Sequence, residues 1–156
     1  MQVRELMTAN PEACCPFDTC DLVGEIMRRR RCGFVPVVDS QTTKQVVGVV
    51  TDRDIALFLT KTPTLANQVR VEACMSRDPK VIAPDADLRE AAQAMEQCAV
   101  HRLPVVDGGR LVGVLSLNDI ALAARKEWSR TGVHLAEQQM KDVLEAIAAA
   151  QAAQKG

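Results

Sequence analysis

An internal repeat is the feature that most constrains how this chain of 156 residues can fold. When the sequence is shifted by 68 positions, Pro36-Val37-Val38-Asp39 aligns with Pro104-Val105-Val106-Asp107 without a gap. Beyond that point the shift becomes 65, and Asp54-Ile55-Ala56-Leu57 aligns with Asp119-Ile120-Ala121-Leu122. The length difference falls between SQTTKQ and GGR, two polar segments of the kind that form hairpin tips. The fold must therefore accommodate the same unit twice.

Each copy predicts the same order of elements. A short amphipathic start leads through a proline-bounded turn to a small apolar strand (EACC or KVIA) and then to a helix with apolar residues at helical spacing. Two β-branched runs, FVPVVD with VVGVVT and RLPVVD with LVGVLS, flank the hairpin turn, and a second helix begins near Asp52 or Asn118. The predicted fold class is α+β, with mixed α/β copies of order β-α-β-β-α. Because neither copy could bury its sheet alone, we expect the two to pack sheet against sheet as a pseudo-twofold module.

The repeat divides the chain into four predicted regions. Residues 1–62 form the first copy, 63–70 a polar linker, 71–128 the second copy and 129–156 a C-terminal helix and tail. The C-terminal segment carries an apolar stripe typical of an amphipathic helix. This helix could dock on its own chain or pack against the same helix of a second subunit. The stripe consists of Leu135, Met140, Val143, Leu144 and Ile147.

Charge and composition argue against several functional classes. The 19 basic and 20 acidic residues give a net charge of -1, so no overall field attracts nucleic acid or an anionic membrane. No apolar run approaches the roughly 20 residues of a membrane span, and the N-terminus lacks the build of a secretory signal, so we expect a cytoplasmic protein. The six cysteines contain no CxxC pair and are expected to be reduced. No nucleophile elbow, Walker loop or HExxH motif is present, and we do not expect an enzyme.

The two junctions between a strand and the second helix are the first candidate site. Thr51 precedes Asp54 by three positions, and Ser116 precedes Asp119 by the same spacing. The spacing alone favours helix capping, in which the hydroxyl oxygen accepts from a free backbone N–H. Alternatively, a helix N-terminus with a hydroxyl favours a phosphate, while the carboxylate accepts from the diol of a ribose. Both roles can hold at once.

A second candidate is the pair His101-Arg102, which precedes the second P-V-V-D strand. An arginine at the start of a strand can fork onto a phosphate, and a neighbouring histidine can add a donor. The pair could equally be a basic surface dipeptide. The first copy has Gly33-Phe34 at the aligned positions. Its candidate site would therefore bind a ligand weakly, hold a different ligand, or obtain a positive charge from Arg53 or from the arginine run at positions 28–31.

Three sequence landmarks occur in both copies and in the same order: the V-x-x-x-M start, the P-V-V-D strand end and the junction GVVTDRDI or GVLSLNDI. With them the chain resembles the CBS-domain family over about residues 1–125. The resemblance implies a tandem pair of CBS domains (a Bateman module) with two pseudo-symmetric clefts, a tendency to form homodimers, and binding of an adenosine-containing ligand. AMP, ADP or ATP are expected first, with S-adenosylmethionine or NAD as alternatives. The string HRLPVVD is similar to the segment through which γ subunits of AMP-activated protein kinases hold nucleotide phosphates.

The resemblance also implies which residues contact the ligand. Some would bind it through polar groups, and others would form an apolar slot for the adenine. The apolar residues could equally belong to the core. In the second-copy cleft they are His101, Arg102, Leu103, Pro104, Ser116, Asn118, Asp119, Ile82 and Ala83. In the first-copy cleft they are Thr51, Arg53, Asp54, Cys15, Val35 and Pro36, with Cys14 beside them.

The implied function is a stand-alone regulatory module that senses an adenine nucleotide. It needs no cofactor or metal, and it relays occupancy through its dimer or to an effector protein that the sequence does not identify. One alternative is a structural dimerisation module that binds no ligand. Another is a thiol or metal sensor built on Cys14-Cys15, since adjacent cysteines can serve soft metals.

Overall fold

The computed structural model describes residues 1–131 together with positions 141, 145, 148, 149 and 152. The apolar stripe of the predicted C-terminal helix lies outside these described residues. The helices are α1 (Cys20–Arg30), α2 (Asp52–Lys61), α3 (Leu88–Gln97) and α4 (Leu117–Thr131). The strands are β1 (Thr8–Ala9), β2 (Phe34–Val38), β3 (Val46–Thr51), β4 (Ser76–Arg77), β5 (Arg102–Asp107) and β6 (Arg110–Ser116). Short 3₁₀ helices span Val3–Glu5, Ala66–Gln68 and Val71–Ala73. The predicted mixed α and β class is confirmed.

The chain forms two compact units whose bounds differ from those of the sequence copies. The first-copy unit comprises Asn10–Pro79 and Val106–Leu111. The second-copy unit comprises Met1–Ala9, Lys80–Val105 and the described residues from Val112 onward. The opening nine residues thus belong with the second copy, and residues 63–79 belong with the first. Helix α4 also runs past residue 128, where the sequence places the end of the second copy.

Each unit contains a three-stranded sheet, with order β2-β3-β4 in the first-copy unit and β1-β6-β5 in the second-copy unit. The short strand β4 pairs antiparallel with β3, and β1 pairs antiparallel with β6 in the same way. These edge strands, only two residues long, were not predicted. Their residues lie in turns that are polar in sequence, and only the pairing with a distant strand makes them extended.

The small apolar strands predicted at EACC and KVIA are wrong as strands. Each reduces to one parallel bridge, Cys14 with Val37 and Ile82 with Val105. Prolines lie on both sides of each segment, and a proline has no N–H to donate to a ladder, so neither segment can extend its pairing.

Each unit has its own apolar core. In the first-copy unit, Val23 and Ile26 of α1 pack with Val35 and Val37 of β2 and Val50 of β3. The second-copy core has the same layout and adds residues from the opening segment. Among its most deeply buried members are Val3, Met95, Leu103, Val105, Leu115 and Ile120. Burying side chains of this size contributes roughly 1.5–3 kcal/mol each, and these clusters hold the strand ends and helix starts in place.

A glycine and a methionine meet at equivalent places in both units. A Cβ added to Gly48 of β3 would lie 2.8 Å from the Ser76 carbonyl oxygen and 3.1 Å from the sulfur of Met75. At the aligned Gly113 of β6, an added Cβ would collide with Met7. The V-x-x-x-M start therefore packs its methionine against a strand position that has room only for glycine.

Within the part of the chain that the structure describes, the helices are too short or too polar to cross a membrane.

Candidate functional site

In the second-copy unit, the start of α4 is closed by a reciprocal pair of side chains. The backbone N–H and the hydroxyl of Ser116 both donate to Oδ2 of Asp119, at 2.8 and 2.5 Å. The Asp119 N–H donates back to the Ser116 hydroxyl oxygen at 3.2 Å. The predicted capping role of this pair is confirmed. Because the serine bonds end on Oδ2, the second carboxylate oxygen, Oδ1, lies outside the capping arrangement.

The first-copy unit repeats this geometry at the start of α2. The N–H and hydroxyl of Thr51 donate to Oδ2 of Asp54 at 2.9 and 2.8 Å. The Asp54 N–H donates to the Thr51 hydroxyl oxygen at 3.1 Å. All four side chains of the two pairs are half-buried, so each helix start combines a satisfied cap with a carboxylate that still reaches the surface.

His101 lies beside the capped start of α4 and carries a buried polar atom without a partner. Its carbonyl oxygen accepts from the N–H of Leu117, at 2.9 Å, which fixes the backbone of residue 101 to the first residue of the helix. Its side-chain Nε2 is buried and makes no hydrogen bond to the described residues. Leaving such a group unsatisfied costs on the order of 1–3 kcal/mol. The neighbouring Arg102 is exposed as the first residue of β5.

The first-copy unit makes the same backbone bond with different side chains. The carbonyl oxygen of Gly33, the residue aligned with His101, accepts from the N–H of Asp52 at 3.2 Å. A Cβ added to Gly33 would lie 2.6 Å from Oδ2 of Asp52. A carboxylate therefore occupies the place where the side chain of residue 33 would begin. Sequence reasoning did not single out Asp52, although the same alignment pairs it with the apolar Leu117 and so signals the difference.

The predicted adenine slot divides into buried and accessible residues. Leu103, Pro104, Ile82, Val35 and Pro36 are buried in their units. The accessible members are Ala83, which is exposed, and Cys15, which is half-buried. Asn118 and Arg53 are exposed near the starts of α4 and α2.

A pocket of about 190 Å³ opens in the second-copy unit between α3 and the segment before it. Ile82 and Ala83 contribute to its wall together with Glu90, Gln93 and Lys80. His101, Arg102, Ser116 and Asp119 do not line it. The pocket thus touches the apolar part of the predicted site and none of the groups predicted to hold a phosphate or a ribose.

The arginine run at the end of α1 is largely engaged in ion pairs. Arg28 pairs with Glu25 at 2.5 Å, and Arg29 and Arg30 pair with Glu12 at 2.9 and 3.1 Å. These contacts favour the structural interpretation of the run, since each of these guanidinium groups already has a carboxylate partner.

The adjacent thiols of Cys14 and Cys15 have environments that suppress the thiolate. Burial raises the pKa of Cys14 to about 12, and its S–H points to the Pro36 carbonyl oxygen at 3.7 Å. Burial also raises the pKa of Cys15. A soft metal binds the thiolate form, so neither residue is prepared for that role. Among the described residues, no group of three His, Cys, Asp or Glu side chains comes together to hold a metal ion.

Comparison with known proteins finds the same duplicated unit elsewhere. Residues 3–61 and 70–126 each match the model of the CBS domain. The CBS domain-containing protein YhcV of Bacillus subtilis (strain 168) is 34% identical over 120 residues, which cover 77% of this chain and 83% of that protein.

Two solved structures extend the comparison. The structure of CBSX2 in complex with AMP has a TM-score of 0.67 at 28% identity and covers 81% of this chain and 97% of its own. The CBS domain pair of protein MJ0100, in complex with 5'-methylthioadenosine and S-adenosyl-L-methionine, has a TM-score of 0.72 at 23% identity, with coverages of 81% and 98%. This second similarity is one of fold alone. Since the two matched segments span more than half of the sequence and contain both capped junctions, the chain belongs to the CBS-domain family.

Proposed function

We propose that this protein is a regulatory module that senses an adenine nucleotide, and that the nucleotide binds at the start of α4 in the second-copy unit. The observation that carries the proposal is the buried Nε2 of His101, which has no partner among the described residues. It lies on the backbone bonded to Leu117, next to the Ser116–Asp119 cap and to the exposed Arg102. The residue as a whole is half-buried, so a rotation of the ring toward the surface would let a ligand oxygen satisfy this nitrogen.

The hydrogen bonds already formed suggest how the ligand is held. The Ser116 hydroxyl both donates to and accepts from Asp119, so it is committed to the cap. The remaining oxygen of Asp119, Oδ1, suits the diol of a ribose, which offers two O–H donors. Arg102 and His101 then supply N–H donors for the phosphate, and guanidinium–phosphate bonds are charge-assisted. The adenine would contact Ala83 and the backbone around the buried Ile82, Leu103 and Pro104, with Asn118 at the rim.

The first-copy unit supports a different ligand preference. Its Thr51–Asp54 cap matches the ribose-binding half of the site. At the position equivalent to His101, however, the Asp52 carboxylate takes the place of a donor. A second negative charge there opposes a phosphate by Coulomb repulsion. Arg53, Cys15, Val35 and Pro36 complete this weaker site, which would favour an adenosyl ligand without a phosphate.

The relatives support adenine nucleotides as the first ligands to test. CBSX2, 28% identical to this chain, was solved in complex with AMP. ADP and ATP share its adenosine and phosphate groups, while S-adenosylmethionine and NAD present adenosine with different charge. In the proposal the chain catalyses nothing itself and works in the cytoplasm. It passes ligand occupancy to a second subunit or an effector protein, which requires that the ligand bind two states with different affinity.

Thermal unfolding in the presence of AMP, ADP, ATP, NAD and S-adenosylmethionine tests the function. A ligand that binds only the folded state at a hundred times its Kd stabilises it by about 2.7 kcal/mol and raises Tm. We expect AMP to raise Tm in the unmodified protein, and Arg102→Ala and Asp119→Asn to lose most of the shift. Asparagine at 119 can still accept from Ser116, so this change spares the cap.

Arg89→Ala is the matched control, because Arg89 is an exposed arginine of the same unit that lies on α3 and is not among the proposed contacts. It should keep the full AMP shift. Retention of the shift in both site variants would show that the assigned residues are wrong. If no adenosyl ligand changed Tm, the protein would instead be a structural dimerisation module, a role consistent with the burial of most of the predicted adenine slot. A shift with zinc alone would support the thiol or metal sensor.

A further inference from the structure

Two cysteines far apart in sequence bring their sulfur atoms into contact in the first-copy unit. The Sγ atoms of Cys20, the first residue of α1, and Cys74, which follows the 3₁₀ helix Val71–Ala73, are 3.4 Å apart. Both cysteines are free thiols. A disulfide bond is about 2.05 Å long, so the two sulfurs, now 3.4 Å apart, would have to approach by about 1.4 Å to form one.

The backbone on both sides of the pair is held by hydrogen bonds. The Cys20 N–H donates to the Val69 carbonyl oxygen at 2.9 Å, and the Val71 N–H donates to the Asp18 carbonyl oxygen at 2.8 Å. Thr19 and Arg70 form an antiparallel bridge between these two bonds. These bonds hold the backbone of the two segments together, which keeps the two cysteines side by side.

The equivalent positions of the second copy show that the packing there does not need cysteine. The repeat aligns Cys20 with Leu88 and Cys74 with Leu6. Both leucines are half-buried and pack against the core of the second-copy unit. Buried cysteines often serve simply as small apolar residues. Here an ordinary aliphatic pair performs the same packing in the other copy, so the paired thiols add a chemical capability to the first copy.

We propose that Cys20 and Cys74 are a redox modification site, a thiol pair that closes to an intramolecular disulfide when the protein meets a low-molecular-weight disulfide. In the first step the Cys74 thiolate attacks one sulfur of the oxidant, forms a mixed disulfide and releases one thiolate. In the second step the Cys20 thiolate attacks Sγ of Cys74 and expels the second thiolate. The protein loses two hydrogens and two electrons, and the oxidant becomes two thiols.

The order of attack follows from access. The Cys20 side chain is 2% exposed, whereas Cys74 is half-buried, so an external oxidant reaches Cys74 first. Burial raises the pKa of Cys74 to about 12 and also raises that of Cys20. Because the thiolate is the reactive form, the pair reacts more slowly than an ordinary exposed thiol and stays reduced under mild conditions. The disulfide would tie the segment that carries β4 to the start of α1.

Oxidised glutathione and peptide mapping test the proposal on the full-length chain. After treatment, free thiols are alkylated in denaturant, and the protein is cut with trypsin and an aspartate-directed protease. These enzymes separate residues 18–20 from Cys14 and Cys15 and release residues 71–77 as one peptide. We expect a linked pair of peptides, 18–20 with 71–77, that lacks both glutathione and the alkylating group.

Single substitutions separate the proposed pair from the other thiols. Cys20→Ser should abolish the link and trap glutathione on Cys74, because the resolving thiol is gone, and Cys74→Ser should leave Cys20 alkylated. Cys32→Ser is the matched control, since Cys32 is a half-buried thiol of the same unit, and it should retain the link. The proposal is overturned if the exposed Cys98 takes up glutathione while Cys20 and Cys74 stay alkylated, or if Cys74 links to a different cysteine.

Discussion

His101 and Gly33 occupy aligned positions, yet the two units present different chemical groups there. In the second-copy unit the buried Nε2 of His101 has no hydrogen-bond partner among the residues that the structure describes, and the first residue of α4 is the apolar Leu117. In the first-copy unit the carboxylate of Asp52 takes the corresponding space. A phosphate would gain a donor in one unit and face a like charge in the other. The two sites should therefore bind AMP with unequal affinity.

Exchanging these residues tests the origin of that inequality. In Gly33→His combined with Asp52→Leu, the first-copy unit receives the side chains that the second-copy unit has at these two positions. We expect the variant to bind a second equivalent of AMP, with a gain of about tenfold or more in affinity at that site from one charge-assisted contact of about 1.5–3 kcal/mol. Isothermal titration calorimetry measures the stoichiometry. Asp52→Leu alone is the control and should gain less, and unchanged stoichiometry in the double variant would contradict the interpretation.

The capped helix starts make a separate prediction about stability. Thr51→Ala removes the hydroxyl that accepts from Asp54 and should lower the free energy of unfolding by about 0.5–2 kcal/mol. Urea denaturation measures the change. Thr42→Ala, at an exposed threonine of the β2–β3 turn, should have an effect within about 0.5 kcal/mol. Equal effects of the two substitutions would mean that the hydroxyl of Thr51 does not stabilise the helix.

At the residue scale, the sequence predicts what depends on neighbours along the chain. The cap that Thr51 and Asp54 form at the start of α2 can be predicted from their spacing of three positions, because both groups lie in one helical turn. The buried nitrogen of His101 and the position of the Asp52 carboxylate depend on contacts between separate elements. No local pattern predicts them. Aligning the two copies does show, however, that the first copy has Gly33 where the second has His101, and Asp52 where the second has Leu117.

Two glycines within regular elements have opposite consequences for stability. Gly24 lies on the exposed face of α1, and an added Cβ there meets no atom within 4 Å. Gly24→Ala should therefore raise the free energy of unfolding by about 0.5–1 kcal/mol through helix propensity. Gly48→Ala should lower it by about 1–3 kcal/mol, since the new Cβ meets the backbone of β4 at 2.8 Å. Thermal unfolding of the two variants side by side checks both signs, and a stabilised Gly48→Ala would contradict the close approach of the strands.

The ion pairs that join the start of the first-copy unit to α1 predict a dependence on pH. Hydrogen bonds from Arg30 and then Arg29 lower the pKa of Glu12 from its usual 4.5 to about 2. The folded-state pKa is depressed, so the stabilisation is fully present above about pH 4.5 and is lost as the pH falls towards 2. Glu12→Gln should lower Tm at pH 7 and have a progressively smaller effect between pH 4.5 and 2. Because both arginines are exposed and Glu12 is only half-buried, the difference should be small and should shrink in high salt. A Tm difference between the variant and the unmodified protein that is constant from pH 7 to 2 would rule out the ion pairs as its cause.

At the element scale, the long elements were predictable and the short ones were not. The helices and the two hairpins follow from periodicity and β-branched runs of five or more residues. The strands β1 and β4 contain two residues each and are defined by partners far away in sequence. EACC and KVIA have the composition of strands, but the flanking prolines limit each to a single bridge.

For the molecule as a whole, the repeat seen in the sequence and the compact units seen in the structure divide the chain differently. The first-copy sheet needs β4, and its core needs Val71, which is fully buried. Both lie beyond residue 62, where the sequence places the end of the copy. The opening nine residues find their partners in β6 and in the core that contains Val3. Alignment shows which positions are similar but not which strands pair. The repeat therefore could not predict that the opening nine residues belong with the second copy and residues 63–79 with the first.

The stabilities of two fragments of the chain would show whether the sequence copy or the compact unit of the structure is the folding unit. Residues 10–79 include β2, β3, β4 and nearly all of the first-copy core, whereas residues 1–62 lack β4, Val69 and Val71 and include β1 without its partner. Each buried valine contributes roughly 1.5–3 kcal/mol, and marginal domains have little stability to lose. We therefore expect fragment 10–79 to show the higher urea midpoint and the better dispersed amide spectrum. If fragment 1–62 were equally stable, the sheet of the first copy would not depend on β4, and the sequence repeat would be the folding unit after all.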